Sequence, residues 1–177
     1  MTTTNTLRAI AHPLRLQILS LLTGTQLSAA EVGRELDTTQ ANASYHLRVL
    51  AAAGLLVPAG EEKIRGGVAK RYRHPWRSED RPDRGVRFPT AQLDHQALIQ
   101  AVAQQLVRRS TQRRDGRSHF VDAELWVEPD TWRQCVDLVN ESSTLIHDAA
   151  RPPRTEGTIR VTMSAALFML ADPGSTS

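Results

Sequence analysis

The sequence predicts an α+β protein: an N-terminal, mainly helical domain closed by a β-hairpin, then a C-terminal dimerisation helix and a small strand-helix-strand unit. Three observations predict it. Apolar residues recur at helical spacing from Leu7 to Leu22, and two further short helical runs follow with turn residues between them. Polar and apolar residues then alternate on either side of Arg65-Gly66-Gly67. After a proline- and charge-rich break, a new helical stripe begins at Thr90, followed by two alternating segments that flank a helix opened by Pro129.

In chain order, Leu7, Ile10, Ala11, Leu14, Ile18, Leu21 and Leu22 share a helical face, and Pro13 divides them into a lead-in and a second helix. Gly24 closes this segment. Ser28 with Glu31 three residues on is a capping-box signature for a helix over Ala29–Leu36. A turn at Asp37-Thr38 follows. Thr38 or Thr39 caps the next helix, which runs to about Ala53 and stops at Gly54, suited to the left-handed conformation after a helix. Leu55 to Tyr72 reads as two strands whose connection uses the paired glycines.

Residues 1–75 are therefore expected to form one domain. Residues 76–89 read as a linker, because the stretch HPWRSEDRPDRGVRFP combines Pro75, Pro82 and Pro89 with many charges and too little apolar content to bury. Residues 90–170 make the second region. Its helix, Thr90 to about Arg114, carries Leu93, Ala97, Leu98, Ala101, Val102 and Leu106 on one stripe, which a partner subunit could cover to give a homodimer. His119–Val127 and Thr158–Leu170 alternate like strands around a helix from Pro129 to about Ala149, and residues 171–177 read as a flexible tail.

Composition narrows the function classes. The chain has 177 residues and 40% hydrophobic content, enough for a packed core. The N-terminus lacks a charged region ahead of an apolar run, and no stretch approaches the ~20 apolar residues of a membrane helix, so no membrane association is expected. The lone Cys135 excludes an internal disulfide or a thiolate cluster and suits a reducing, cytoplasmic setting. The net charge of +3 is small, but its distribution is uneven. Residues 1–75 and 76–117 each carry nine basic and five acidic side chains, whereas 118–177 carry four and nine. The basic end is the one suited to an anionic partner.

Within that end, TTQANASYHLRVLAAAGLL has what a helix needs to lie in the major groove: short polar side chains outward and an apolar face inward. At about 100° per residue, Gln40, Ala41, Ser44, Tyr45 and Arg48 fall on one side and Ala43, Leu47 and Leu50 on the other, with Asn42 and His46 at the margins. Thr39 joins this face at its start. Gln40 has the donor-acceptor pair that matches adenine, Ala41 suits a thymine methyl, Ser44 serves several bases, and Tyr45 and Arg48 reach base edges or phosphates. The hairpin adds Lys63, Arg65, Lys70, Arg71 and Arg73 without an acid between them, which suits phosphates or the minor groove. Two helices and a turn are often only a core hairpin, and a basic hairpin often only a solvated edge. It is their adjacency that points to double-stranded DNA.

Residues Leu7 to Tyr72, with AIAHPLRLQILSLL, SAAEVGREL, QANASYHLRVLAAAGLL and the RGGVAKRYR hairpin, resemble the winged helix-turn-helix of the ArsR/SmtB regulators over about two-fifths of the chain. The resemblance implies a homodimeric regulator, commonly a repressor, that reads an inverted repeat with one recognition helix per half-site. It also places base contacts on Gln40, Ala41, Ser44 and Tyr45. The chain departs from that family where many members bind metal. The helix before the recognition helix reads Glu31-Val32-Gly33-Arg34-Glu35-Leu36, without a thiolate, and Asp94-His95 lack a second ligand pair at matching spacing, so no metal and no cofactor are expected.

Residues 118–170 are open to two readings. Trp126, Trp132, Cys135, His147, Met163, Phe168 and Met169 would line a pocket for a small-molecule effector, or, more commonly for such residues, fill a core or a dimer contact. Cys135 and His147 stand twelve residues apart on one predicted helix, ~18 Å along its axis, too far for a nucleophile and its base. Glu124, Glu128 and Asp130 read as a strand end and a helix start, where acids favour the dipole. The chain is thus expected not to be an enzyme. A winged-helix module for protein contacts is the alternative binding class, separable from a DNA reader by whether its cations are dispensable.

Overall fold

A computed structural model of the protein describes residues 8–64, 67–75 and 92–171, with the backbone alone at 64 and 92–94. Leu7, Arg65, Gly66, the 76–89 linker and residues 172–177 of the expected tail lie outside the described residues, as do the side chains of Leu93 and Asp94.

Residues 8–10 form a short helical lead-in, and α1 (Pro13–Leu21) begins where Pro13 presets the first helical φ. His12 caps it, its Nδ1 accepting a hydrogen bond from the Leu14 N–H at 3.2 Å. The Ser28–Glu31 capping box opens α2 (Ala29–Glu35): the Ser28 N–H donates to the Glu31 carboxylate at 2.8 Å, and the Glu31 N–H returns to the Ser28 hydroxyl. Thr39 caps α3 (Gln40–Ala52), and Gly54 follows it with φ 72°.

Between α2 and α3 the chain turns at Asp37, which adopts φ 51°. Gly33 lets this turn close against α2. A Cβ there would stand 2.9 Å from the Thr38 carbonyl oxygen, while the Thr38 N–H donates to the Gly33 carbonyl at 2.9 Å.

The hairpin consists of β2 (Val57–Ile64) and β3 (Gly67–Arg73), antiparallel from Val57 opposite Arg73 to Ile64 opposite Gly67, with an irregularity between Pro58 and Glu61. A third strand, β1 (Leu27–Ser28), pairs antiparallel with β3, so the sheet order is β1-β3-β2. Two residues carry no readable period, which is why the sequence does not announce β1. The small sheet nonetheless ties the domain together, because it joins the hairpin directly to the start of α2.

The core gathers Ile18 and Leu22 from α1, Val32 from α2, Ala43, Leu47 and Leu50 from α3, and Leu55 and Leu56 from the strand entrance. Each fully buried aliphatic side chain contributes roughly 1.5–3 kcal/mol relative to exposure. Leu98 of α4 (Gln92–Ser110) joins the same cluster, and Val102 packs on it. The expected apolar stripe of this helix is therefore covered within the chain at Leu98 and Ala101, while Leu106 stays 45% exposed.

The C-terminal region departs from expectation. Its helix forms as α5 (Pro129–Asp148), but His119–Val127 and Thr158–Leu170 form no strands. Among the described residues the backbone hydrogen bond from either segment is the local turn bond from the Thr158 N–H to the Thr155 carbonyl at 3.2 Å, and Val121, Leu125 and Ile159 are each more than 70% exposed. The strand-helix-strand unit is corrected accordingly. Alternation shows that a segment has two unlike faces, but a strand also requires a neighbour for its N–H and C=O groups, which this single chain does not supply. The second segment instead lies along α4. Arg109 donates to the Thr162 hydroxyl at 3.2 Å, and the His95 and Phe168 rings meet edge-on at 5.3 Å. Six residues of extended chain and fourteen of helix each span ~20 Å, so the segment runs antiparallel to α4 as a strap.

Candidate nucleic-acid interface

α3 divides cleanly about its axis. Ala43, His46, Leu47 and Leu50 are buried, whereas Gln40, Ala41, Tyr45 and Arg48 are exposed and Ser44 is half-exposed beside them. The five residues expected to read bases thus share one face, with Thr39 exposed at its N-terminal edge. The Asn42 amide donates to the Thr38 hydroxyl at 2.9 Å, so Asn42 is tied to the turn that precedes the helix.

His46 lies under the helix rather than at its margin. It is 6% exposed, its ring stands 4.6 Å from that of His12, and the Tyr45 ring meets it edge-on at 5.1 Å. On a wheel His46 falls beside Leu50, and that neighbourhood is the signal that would have placed it inward. Burial holds both imidazoles below their ordinary 6.5, reinforced for His12 by the nearby Arg15 charge and for His46 by His12 and Arg15. The outward face of α3 therefore rests on a packed pair of histidines, and His46 Nδ1 is buried without a hydrogen-bond partner among the described residues.

The hairpin cations are not equivalent. Lys63 and Lys70 are exposed, on opposite strands. Arg65 lies outside the described residues, and Arg73 is half-buried. Arg71 turns inward: its guanidinium donates to Glu62 at 2.6 Å and to the Gln26 carbonyl at 2.8 Å, and also reaches Glu31 at 3.1 Å. Two acids just upstream of the basic run explain this, since the register sets Glu61 opposite Lys70 and Glu62 opposite Ala69, two residues from Arg71 and therefore diagonal to it on the same face. Burial pushes the Glu31 carboxyl up, but hydrogen bonds from Ser28 and the Arg71 charge outweigh it and hold the group below its ordinary range.

The residues named for an effector pocket are not brought together. Trp126 and Met169 are more than 80% exposed, Cys135 is exposed, and Phe168 lies on His95. A depression of about 550 Å³ along α5 is lined by Asp130, Arg133, Gln134, Asp137, Leu138 and Glu141. Its charged walls give an apolar effector little to bury against. Among the described residues no three His, Cys, Asp or Glu side chains converge as metal ligands, and no helix is long and apolar enough to cross a membrane.

No curated protein matches the chain. Residues 10–58 match a protein-family model described as a helix-turn-helix domain, the span from the lead-in before α1 to the first residues of β2. The protein accordingly carries an N-terminal helix-turn-helix domain extended by a three-stranded antiparallel sheet, which supports a DNA-binding regulator of the winged type.

Proposed function

We propose that the protein is a sequence-specific transcription regulator of the ArsR/SmtB type, a dimeric repressor that reads an inverted repeat. The observation that supports it best is the division of α3. Thr39, Gln40, Ala41, Ser44, Tyr45 and Arg48 stand outward together while Ala43, His46, Leu47 and Leu50 anchor the helix. In this reading α3 enters the major groove, with Gln40 and Ser44 as direct readers and Arg48 toward base edges or phosphate. Lys63, Lys70 and Arg65 supply the wing's phosphate contacts, and Arg71 positions the wing through Glu31 and Glu62. The chain has no catalytic role in this reading and is not an enzyme.

Two copies of α3 would have to sit about one DNA turn apart, ~34 Å, to read both half-sites. Genomic fragments selected by the purified protein and tested by gel shift check the proposal. The expected result is an inverted repeat bound by the native chain and no longer preferred by Gln40→Ala/Ser44→Ala. Unchanged sequence preference in that variant would sink it.

A further inference from the structure

α5 is amphipathic along its whole length yet buries no residue. Trp132, Cys135, Val136, Leu138, Val139, Leu145 and Ile146 lie on one side, and the charged residues on the other. Before it, every residue from Ser110 to Thr131 is exposed, including Phe120 at 83% and Trp126 at 84%. After it, Ile159 and Met169 are exposed at 83% and 81%. With ~150–250 Å² for a buried aromatic side chain as the scale, the large apolar residues from Phe120 to Leu170 leave on the order of 1,500 Å² uncovered. A standard interface takes only about 800 Å² from each partner.

Charge says what covers this surface. Residues 119–128 carry Asp122, Glu124 and Glu128, with no arginine or lysine, and none of these acids is ion-paired among the described residues. The strap carries Arg160 two residues before Thr162, whose hydroxyl accepts from Arg109, and both Arg160 and the adjoining Arg108 add their positive charge around Arg109 at the end of α4. Among the described residues no carboxylate pairs with these three arginines either. Each chain thus offers an acidic segment without a cationic partner, a cationic strap without an acidic one, and unpaired backbone on both.

We propose that residues 119–127 of one chain pair as a β-strand with residues 159–167 of a second copy, setting Asp122 and Glu124 against Arg109 and Arg160. A two-fold axis makes the exchange reciprocal, and the apolar faces of both α5 helices close the same interface. The exchange supplies the backbone neighbour that each segment lacks in the single chain. It rests on the dimeric reading above and names the surface that makes the dimer.

Light scattering on the full-length protein tests it. The native chain at micromolar concentration is expected to have the mass of two chains. Asp122→Arg/Glu124→Arg and Arg109→Glu/Arg160→Glu should each self-associate about tenfold more weakly or worse, and an equimolar mixture of the two variants should recover the two-chain mass. A native mass of one chain, or a dimer indifferent to both variants, overturns the exchange.

Hydrogen exchange on the native protein removes dependence on variants that fold poorly. Amides of 119–127 and 159–167 should be protected in the dimer and lose protection on dilution, and no protection in the dimer overturns the proposal. Gel shifts keep the two readings apart. A dimer indifferent to both variants with DNA binding intact sinks only the exchange, a one-chain mass sinks the exchange and the dimeric part of the regulator reading together, and the expected dimer without DNA binding supports the exchange and sinks the regulator.

Discussion

Arg71 on β3 and Glu31 in the first turn of α2 form an ion pair at 3.1 Å, with both side chains about three-quarters buried. The same carboxylate closes the capping box with Ser28, and the same guanidinium binds Glu62 on β2. One contact therefore fixes the start of α2, which carries α3 across a tight turn, relative to the wing. If α3 and the wing engage one duplex together, this joint sets the spacing between them.

Arg71 and Lys70 adjoin in sequence and should behave differently in DNA binding. Lys70→Ala removes an exposed cation and should lower the slope of log affinity against log salt by about 0.9. Arg71→Ala should weaken binding while leaving that slope unchanged, because its charge is already matched by Glu31 and Glu62. Titrations of operator DNA at several salt concentrations distinguish the two, and equal slopes for both variants would contradict the inward placement of Arg71.

Glu31→Ala removes the capping box and the ion pair at once. A lost cap costs typically about 1 kcal/mol, and the largely buried guanidinium left with fewer partners adds to it. A urea midpoint shift corresponding to about 1–2 kcal/mol is expected, with Glu31→Gln intermediate because its amide oxygen still accepts from the Ser28 N–H. No shift in either variant would show that the joint contributes nothing to stability.

Gly33→Ala should destabilise the domain by about 1–3 kcal/mol, the range for inserting a methyl group into a closed contact. The added Cβ would meet the Thr38 carbonyl oxygen at 2.9 Å, and that atom is backbone and cannot swing away. Thermal unfolding checks this, and DNA affinity should fall with it because the displaced turn carries α3.

Acid should weaken the fold in two stages. His12 and His46 are held below 6.5 when folded, so the unfolded chain binds more protons and stability falls as pH drops below about 6.5 toward the folded values. Glu31 is held below 4.5, so its contribution is intact above that value and is lost as pH falls through its lower folded value. His46→Leu removes a buried ring with an unpartnered Nδ1, and should flatten the first stage and leave the second. Urea midpoints measured from neutral to about pH 2.5 would show it. An unchanged first stage in that variant would place the sensitivity elsewhere.

Much of the N-terminal domain was legible because its signals are local. Pro13, the Ser28–Glu31 box, Thr39 and Gly54 each act on backbone groups within four residues, and helices start or stop where they stand. The outward face of α3 was legible too, since a 3.6-residue period links sequence spacing directly to direction. His46 was misplaced only by the width of the margin between faces.

Other features depended on distant partners. β1 exists because β3 passes beside Leu27 and Ser28, more than forty residues later, and Arg71 turns inward because the register brings Glu62 and Glu31 within reach. The strands expected at 119–127 and 158–170 failed for the same reason in reverse. Their alternation is real, but an isolated segment has no edge against which to satisfy its amides, and the chain uses the second one as a strap along α4. By itself, then, the sequence determined the helices, their caps and the composition of the outward face of α3, because these depend on near neighbours. Only the tertiary structure decided which cations face outward and which apolar segments are left without a partner, because pairing across a sheet or against a helix depends on what folding brings alongside.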